Sequence, residues 1–126
     1  MIFGIGIDII EVERIAKQVH DSSSTFIQKI FTEKEIAYCE TKIKNKAQNY
    51  AARFAAKEAF FKAIGTGWRN GFRWQDIEVE NDDLGKPMVA VSGTLKSFVE
   101  KKNILNIHVS LSHVKEMAVA LVILEN

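Results

Sequence analysis

Cysteine is almost missing from this sequence: Cys39 is the only one in 126 residues, so no disulfide can close within the chain. A reducing compartment, the cytoplasm, is the expectation that follows. Charge of neither sign dominates. Seventeen Lys and Arg stand against sixteen Asp and Glu, for a formal net charge of +1. There is no global basic excess of the kind that binds nucleic acid, and no acidic tail. The apolar run at residues 117–124 is far too short to span a membrane, so no membrane partner is expected. The first apolar stretch has no basic residues ahead of it and is interrupted by Asp8, which reads as a strand and not as a secretory signal. Repeats, low-complexity tracts and linkers are lacking too. What is present is 47% hydrophobic and 26% charged, enough for one core, and a single domain over residues 1–126 is expected.

Residues 2–9 alternate with period two. Phe3, Ile5, Ile7 and Ile9 share one face; Gly4, Gly6 and Asp8 share the other, where the glycines would leave space beside the acid. Short helices are expected at 10–19 and 25–31. Thr32-Glu33-Lys34-Glu35 has the capping-box spacing and opens a helix to about residue 43, followed by a basic loop at 42–46. Residues 47–64 form the strongest helical segment, with Tyr50, Phe54 and Phe61 on one stripe and Gly65 just past its end. A loop at 66–73, strands at 76–80 and 88–91, a helix at 94–102 and a final hairpin at 107–113 and 117–124 complete the reading. Helices and strands segregate, so the class is α+β: a small domain whose largely antiparallel sheet packs on a long central helix.

Two carboxylates sit where burial is expected: Asp8 in the opening strand and Glu58 in the Ala/Phe-rich helix. A buried charge is costly unless something pairs with it. Lys62 follows Glu58 by one helical turn, with Ala51, Ala55 and Ala59 as small neighbours that would leave the face open to a ligand. One reading is an ordinary surface Glu–Lys pair, with Asp8 capping the next helix. The other is a Mg²⁺ ion on Asp8 and Glu58, its shell completed by water and phosphate oxygens, with Lys62 on a phosphoryl oxygen. Arg53 is either a solvated charge or a phosphate contact. Gly85-Lys86-Pro87 is a turn that a ligand could also touch, and His113 ends a strand whose other face carries His108, Ser110 and Ser112. Trp68, Arg69, Phe72, Arg73 and Trp74 form an aromatic-basic cluster, read as a loop packing on its neighbours before any nucleic-acid role.

Several of these segments occur together in a familiar order. Gly4-Ile5-Gly6-Ile7-Asp8, Arg14-Ile15, Phe31-Thr32 with Glu35, Arg53 through Glu58 to Lys62 and Gly67, Gly85-Lys86-Pro87, and His108-Val109-Ser110-Leu111-Ser112-His113 resemble the holo-acyl-carrier-protein synthase family. These are small bacterial 4′-phosphopantetheinyl transferases. The resemblance implies transfer of phosphopantetheine from coenzyme A to a serine of acyl carrier protein, with release of adenosine 3′,5′-bisphosphate. It implies Asp8 and Glu58 as Mg²⁺ ligands, and Glu58 and Lys62 as catalytic residues with Lys62 on the phosphates. Arg53, Gly85, Lys86, Pro87 and His113 would surround the nucleotide, helped by Lys44 or Lys46. Arg14 and Lys17 would meet the carrier, and the enzyme would be a homotrimer with sites between subunits. Family members often carry arginines after the first helix, where this chain has Asp21-Ser22-Ser23-Ser24-Thr25; Lys29 is the substitute on hand. The competing reading is a non-catalytic module that binds coenzyme A or a nucleotide.

Overall fold

A computed structural model describes residues 1–68 and 71–126; Arg69, part of the aromatic-basic cluster, lies outside the described residues. The elements run β1 (Ile2–Glu11), α1 (Val12–His20), α2 (Phe26–Ile30), α3 (Glu33–Glu40), α4 (Lys46–Ile64), β2 (Ile77–Asn81), β3 (Pro87–Val91), α5 (Gly93–Lys101), β4 (Asn106–His113) and β5 (Met117–Glu125). Short 3₁₀ turns at Ile43–Asn45 and Trp74–Asp76 lead into α4 and β2. The 42–46 segment, expected as loop, is thus taken up by a 3₁₀ turn and the start of α4 in all but Lys42. The strands form two antiparallel sheets, β1-β5-β4 and the hairpin β2-β3. The α+β class is as the segregation of elements indicates.

Local signals are obeyed where they are local. Thr32 Oγ1 accepts from Glu35 N (3.2 Å) and a Glu35 carboxylate oxygen accepts from Thr32 N (2.9 Å), which completes the capping box. Gly65 takes the left-handed conformation (φ 81°) that ends α4. β1 runs two residues longer than the alternation suggests, and Glu11 stands at the start of α1 with no side-chain cap. Asp8 is therefore a mid-strand residue, and the capping explanation for it is removed.

The larger correction concerns which face of β1 is inside. Ile5, Ile7 and Ile9 are 57%, 59% and 63% exposed, while Gly6 is buried. The glycines do not open space for a ligand; they let β1 lie directly on α4. A Cβ on Gly6 would stand 1.8 Å from the Ala59 carbonyl oxygen, and one on Gly4 would stand 1.9 Å from that of Ala63. Ala51, Ala55 and Ala59 are likewise fully buried and offer no open face. Small residues on both elements bring the two backbones together. α4 is enclosed on nearly all sides, with Tyr50, Phe60 and Phe61 deep in a core that also takes Ile77, Leu95, Val122 and Leu124.

Candidate active site

From Tyr50 to Ile64, every residue of α4 is buried except Phe54, Glu58 and Lys62. These three are spaced by four, so they form one line along the helix. Phe54, read on one stripe with Tyr50 and Phe61, parts from those two buried residues and belongs to this open line. It packs sideways against Phe26 and Trp74, with ring centroids 5.5 Å away in both cases. Trp74 also meets Phe61 edge-on, and Trp68 stacks on Trp74. The aromatic cluster is a loop packed on its neighbours, as its sequence suggests.

Asp8 continues the glycine face of β1 past Gly6 and so arrives at the same line. Lys62 Nζ donates to Asp8 Oδ1 (3.1 Å) and to the Ile7 carbonyl (3.0 Å). The Lys62 side chain is 54% exposed, so it can leave that pairing at little cost. Glu58 stands half-buried beside them. Burial, and then the negative charge of Asp8, push its carboxyl above the ordinary range; Lys62 opposes the shift only in part. Two like charges gathered this way, one of them poorly solvated, make a site that favours a positive charge between them. Among the described residues no three His, Cys, Asp or Glu side chains cluster as a metal cage. A cation here would take two protein carboxylates and complete its shell from water and substrate oxygens, which is the habit of Mg²⁺ and not of a structural zinc.

The other expected ligand residues lie elsewhere. Arg53 is five residues before Glu58, about 140° round the helix. It is no solvated charge: it is 3% exposed, its guanidinium lies 4.2 Å from the centre of the Tyr38 ring, and it donates to Asn81 Oδ1 (2.6 Å). Its buried Nε has no partner among the described residues. Asn81 in turn donates to the Gly85 carbonyl (3.0 Å), so Arg53 and the Gly85-Lys86-Pro87 turn are joined through a residue the sequence did not flag. That turn is held by Asp82, whose Oδ1 accepts from Leu84 N and Lys86 N, and Gly85 needs its φ of 87°. Lys86 and Pro87 border a hollow of about 500 Å³ whose far wall is Ile107, His108 and Val109. His113 closes β4 on the helix-facing side, in the rung shared by Ile10 and Ala118. Two strand spacings, about 10 Å, separate it from β1. Lys46 is paired with Glu40 (3.0 Å), while Lys44 is exposed. Arg14 and Lys17 are exposed on α1, whose Val12 and Ile15 are buried.

Within one chain, then, Asp8, Glu58 and Lys62 come together; Arg53 and the 85–87 turn form a second group; His113 stands apart. The sequence also missed Lys57 and Glu35, a fully buried ion pair with Nζ 2.8 Å from Oε1. Nothing local marks it, because its partners are twenty-two residues apart.

Comparison with known proteins bears on the chain as a whole. A family model described as the 4′-phosphopantetheinyl transferase superfamily matches residues 4–122. A holo-[acyl-carrier-protein] synthase of Solibacter usitatus is 50% identical over 126 residues, all of both chains. The crystal structure of a Bacillus anthracis holo-(acyl-carrier-protein) synthase in complex with CoA (3′,5′-ADP) superposes with a TM-score of 0.81 at 43% identity, over 98% of this chain and 96% of that one. The Neisseria meningitidis enzyme superposes with a TM-score of 0.89 at 33% identity over all of both chains. By sequence and by fold alike, the chain belongs to the holo-acyl-carrier-protein synthase family of 4′-phosphopantetheinyl transferases.

Proposed function

We propose that this chain transfers 4′-phosphopantetheine from coenzyme A to a serine of apo acyl carrier protein and releases adenosine 3′,5′-bisphosphate. The observation that carries the reading is the meeting of Asp8, Glu58 and Lys62 on the one open line of α4. The serine oxygen attacks the phosphorus that bears pantetheine. The bond from that phosphorus to the bridging oxygen breaks, and the nucleotide leaves with the electron pair. Asp8 and Glu58 are the residues that would hold Mg²⁺, which supplies positive charge to the diphosphate oxygens when bound. Lys62 exchanges Asp8 for a phosphoryl oxygen and meets the negative charge that builds there. Glu58 stands on the same open line of α4 and is the residue we assign to accept the serine proton.

The remaining assignments follow from the same reading. The second group, Arg53 with the 85–87 turn, and His113 serve the nucleotide. Since they stand apart from Glu58 within one chain, a site completed by a second copy accounts for both. The outer face of the three-stranded sheet supports this. Ile5, Ile7 and Ile9 are exposed beside Val119, Leu121 and Ile123, an apolar surface suited to burial in a homotrimer. Arg14 and Lys17 offer positive charge to an acidic carrier. Residues 1–126 act as one domain, and the cytoplasm is its compartment.

The test is the mass of purified apo acyl carrier protein after incubation with the chain, coenzyme A and Mg²⁺. A gain of one phosphopantetheine is expected. Coenzyme A binding with no gain on any carrier tried would favour the non-catalytic module instead.

A further inference from the structure

We infer that the buried pair Lys57–Glu35 is the positioning device of the active site: it fixes the rotation of α4, and with it the stance of Glu58 and Lys62 toward Asp8. The inference rests on the catalytic reading above. Both side chains are fully buried. The ammonium of Lys57 spends its three protons on Glu35 Oε1 (2.8 Å), the Trp74 carbonyl (3.1 Å) and the Ile77 carbonyl. Glu35 is satisfied in return: Oε1 also accepts from Thr32 N (2.9 Å) and Oε2 from Val79 N (2.9 Å). One side chain of α4 is thus tied to the start of α3, the Trp74–Asp76 turn and β2 at once.

Stability is a poor explanation for such a pair. A buried ion pair replaced by apolar groups of similar volume often leaves stability unchanged or improved. What the pair supplies is direction. Apolar burial is indifferent to orientation, and where β1 lies on α4 the seam is Gly4 and Gly6 against the backbone of Ala63 and Ala59, so those two positions offer no side chain to resist rotation. Five hydrogen bonds to fixed acceptors and donors resist it strongly. Lys57 is also next to Glu58 in sequence and about 100° away on the helix. A small rotation at Lys57 therefore shifts the Glu58 carboxylate relative to Asp8 on β1, and shifts near 1 Å at reacting groups are known to cost about 100-fold in rate.

The experiment compares wild type with the double variant Glu35→Leu/Lys57→Met, which removes the charges as a pair. Melting temperature, kcat, KM for the carrier, and Mg²⁺-dependent coenzyme A binding by calorimetry are measured on folded protein. The expected result is a melting temperature within a few degrees of wild type, kcat down by 10-fold or more, carrier KM unchanged, and a several-fold higher Mg²⁺ requirement for coenzyme A binding. A folded double variant with wild-type kcat and Mg²⁺ requirement overturns the inference. If the double variant does not fold, Glu35→Gln decides: it keeps the shape and loses the charge. A drop in kcat with a raised Mg²⁺ requirement supports positioning, and wild-type values in both overturn it. If the wild type transfers nothing, the catalytic reading fails, and the calorimetric comparison still judges Lys57.

Discussion

Lys62 on α4 reaches across to Asp8 on β1, with Nζ 3.1 Å from Oδ1, and so ties the central helix to the opening strand at the point where Glu58 stands. The pairing balances one of two carboxylates. It leaves the second, Glu58, half-buried and short of positive charge.

Glu58→Gln is expected to abolish transfer while raising stability in the absence of divalent ions. The sign follows from linkage. A carboxyl whose folded value is raised holds its proton longer in the folded state than in the unfolded chain. Stability from this group is therefore lost as pH rises from the ordinary carboxylate range through the raised value. The uncharged variant escapes that loss. Its melting temperature should exceed wild type near pH 8 and match it near pH 4, read by calorimetry in chelator. A variant less stable than wild type at pH 8 contradicts the strained-carboxylate picture.

Gly6→Ala is expected to destabilise by more than about 2 kcal/mol, because the added methyl must displace backbone, which yields less than a side chain does. The clash distance is 1.8 Å to the Ala59 carbonyl oxygen. Urea unfolding measures it. Gly85→Ala makes a useful contrast: nothing lies within 4 Å of its added Cβ, and the strain there comes from φ alone. Its cost should be about 1 kcal/mol.

Ile7→Asp tests the outer face of the sheet. Ile7 is 59% exposed in the single chain, so the variant should fold with nearly unchanged helix content. Sedimentation should show loss of the trimer, and transfer should fall with it because the nucleotide residues would no longer meet Glu58. A variant that stays trimeric, or an active monomer, removes the shared-site proposal.

Arg14→Glu/Lys17→Glu should raise the carrier KM by 10-fold or more with kcat nearly intact. The wild-type carrier KM should climb steeply with salt, since exposed charges lose contact beyond about 10 Å at 0.1 M ionic strength. A KM flat across salt in the wild type would exclude docking by these residues.

Sequence alone settled what depends on neighbours within a turn of helix or a strand pair. The Thr32–Glu35 box, the stop at Gly65, the Glu58–Lys62 spacing and the closing hairpin are all local, so composition and period suffice to place them. Tertiary packing decided the rest. Alternation in β1 shows that its two faces differ, but not which one meets α4; the backbone contact at Gly4 and Gly6 turned the isoleucines outward. The same contact closed over the alanines that looked like an open face. Arg53 is charged and mid-helix, and only the arrival of Asn81 and Tyr38 from distant segments makes it a buried residue. Lys57 and Glu35 are invisible for the same reason. A hydrogen bond between residues far apart in the chain leaves no trace in local order, and it exists only once folding has brought its donor and acceptor together.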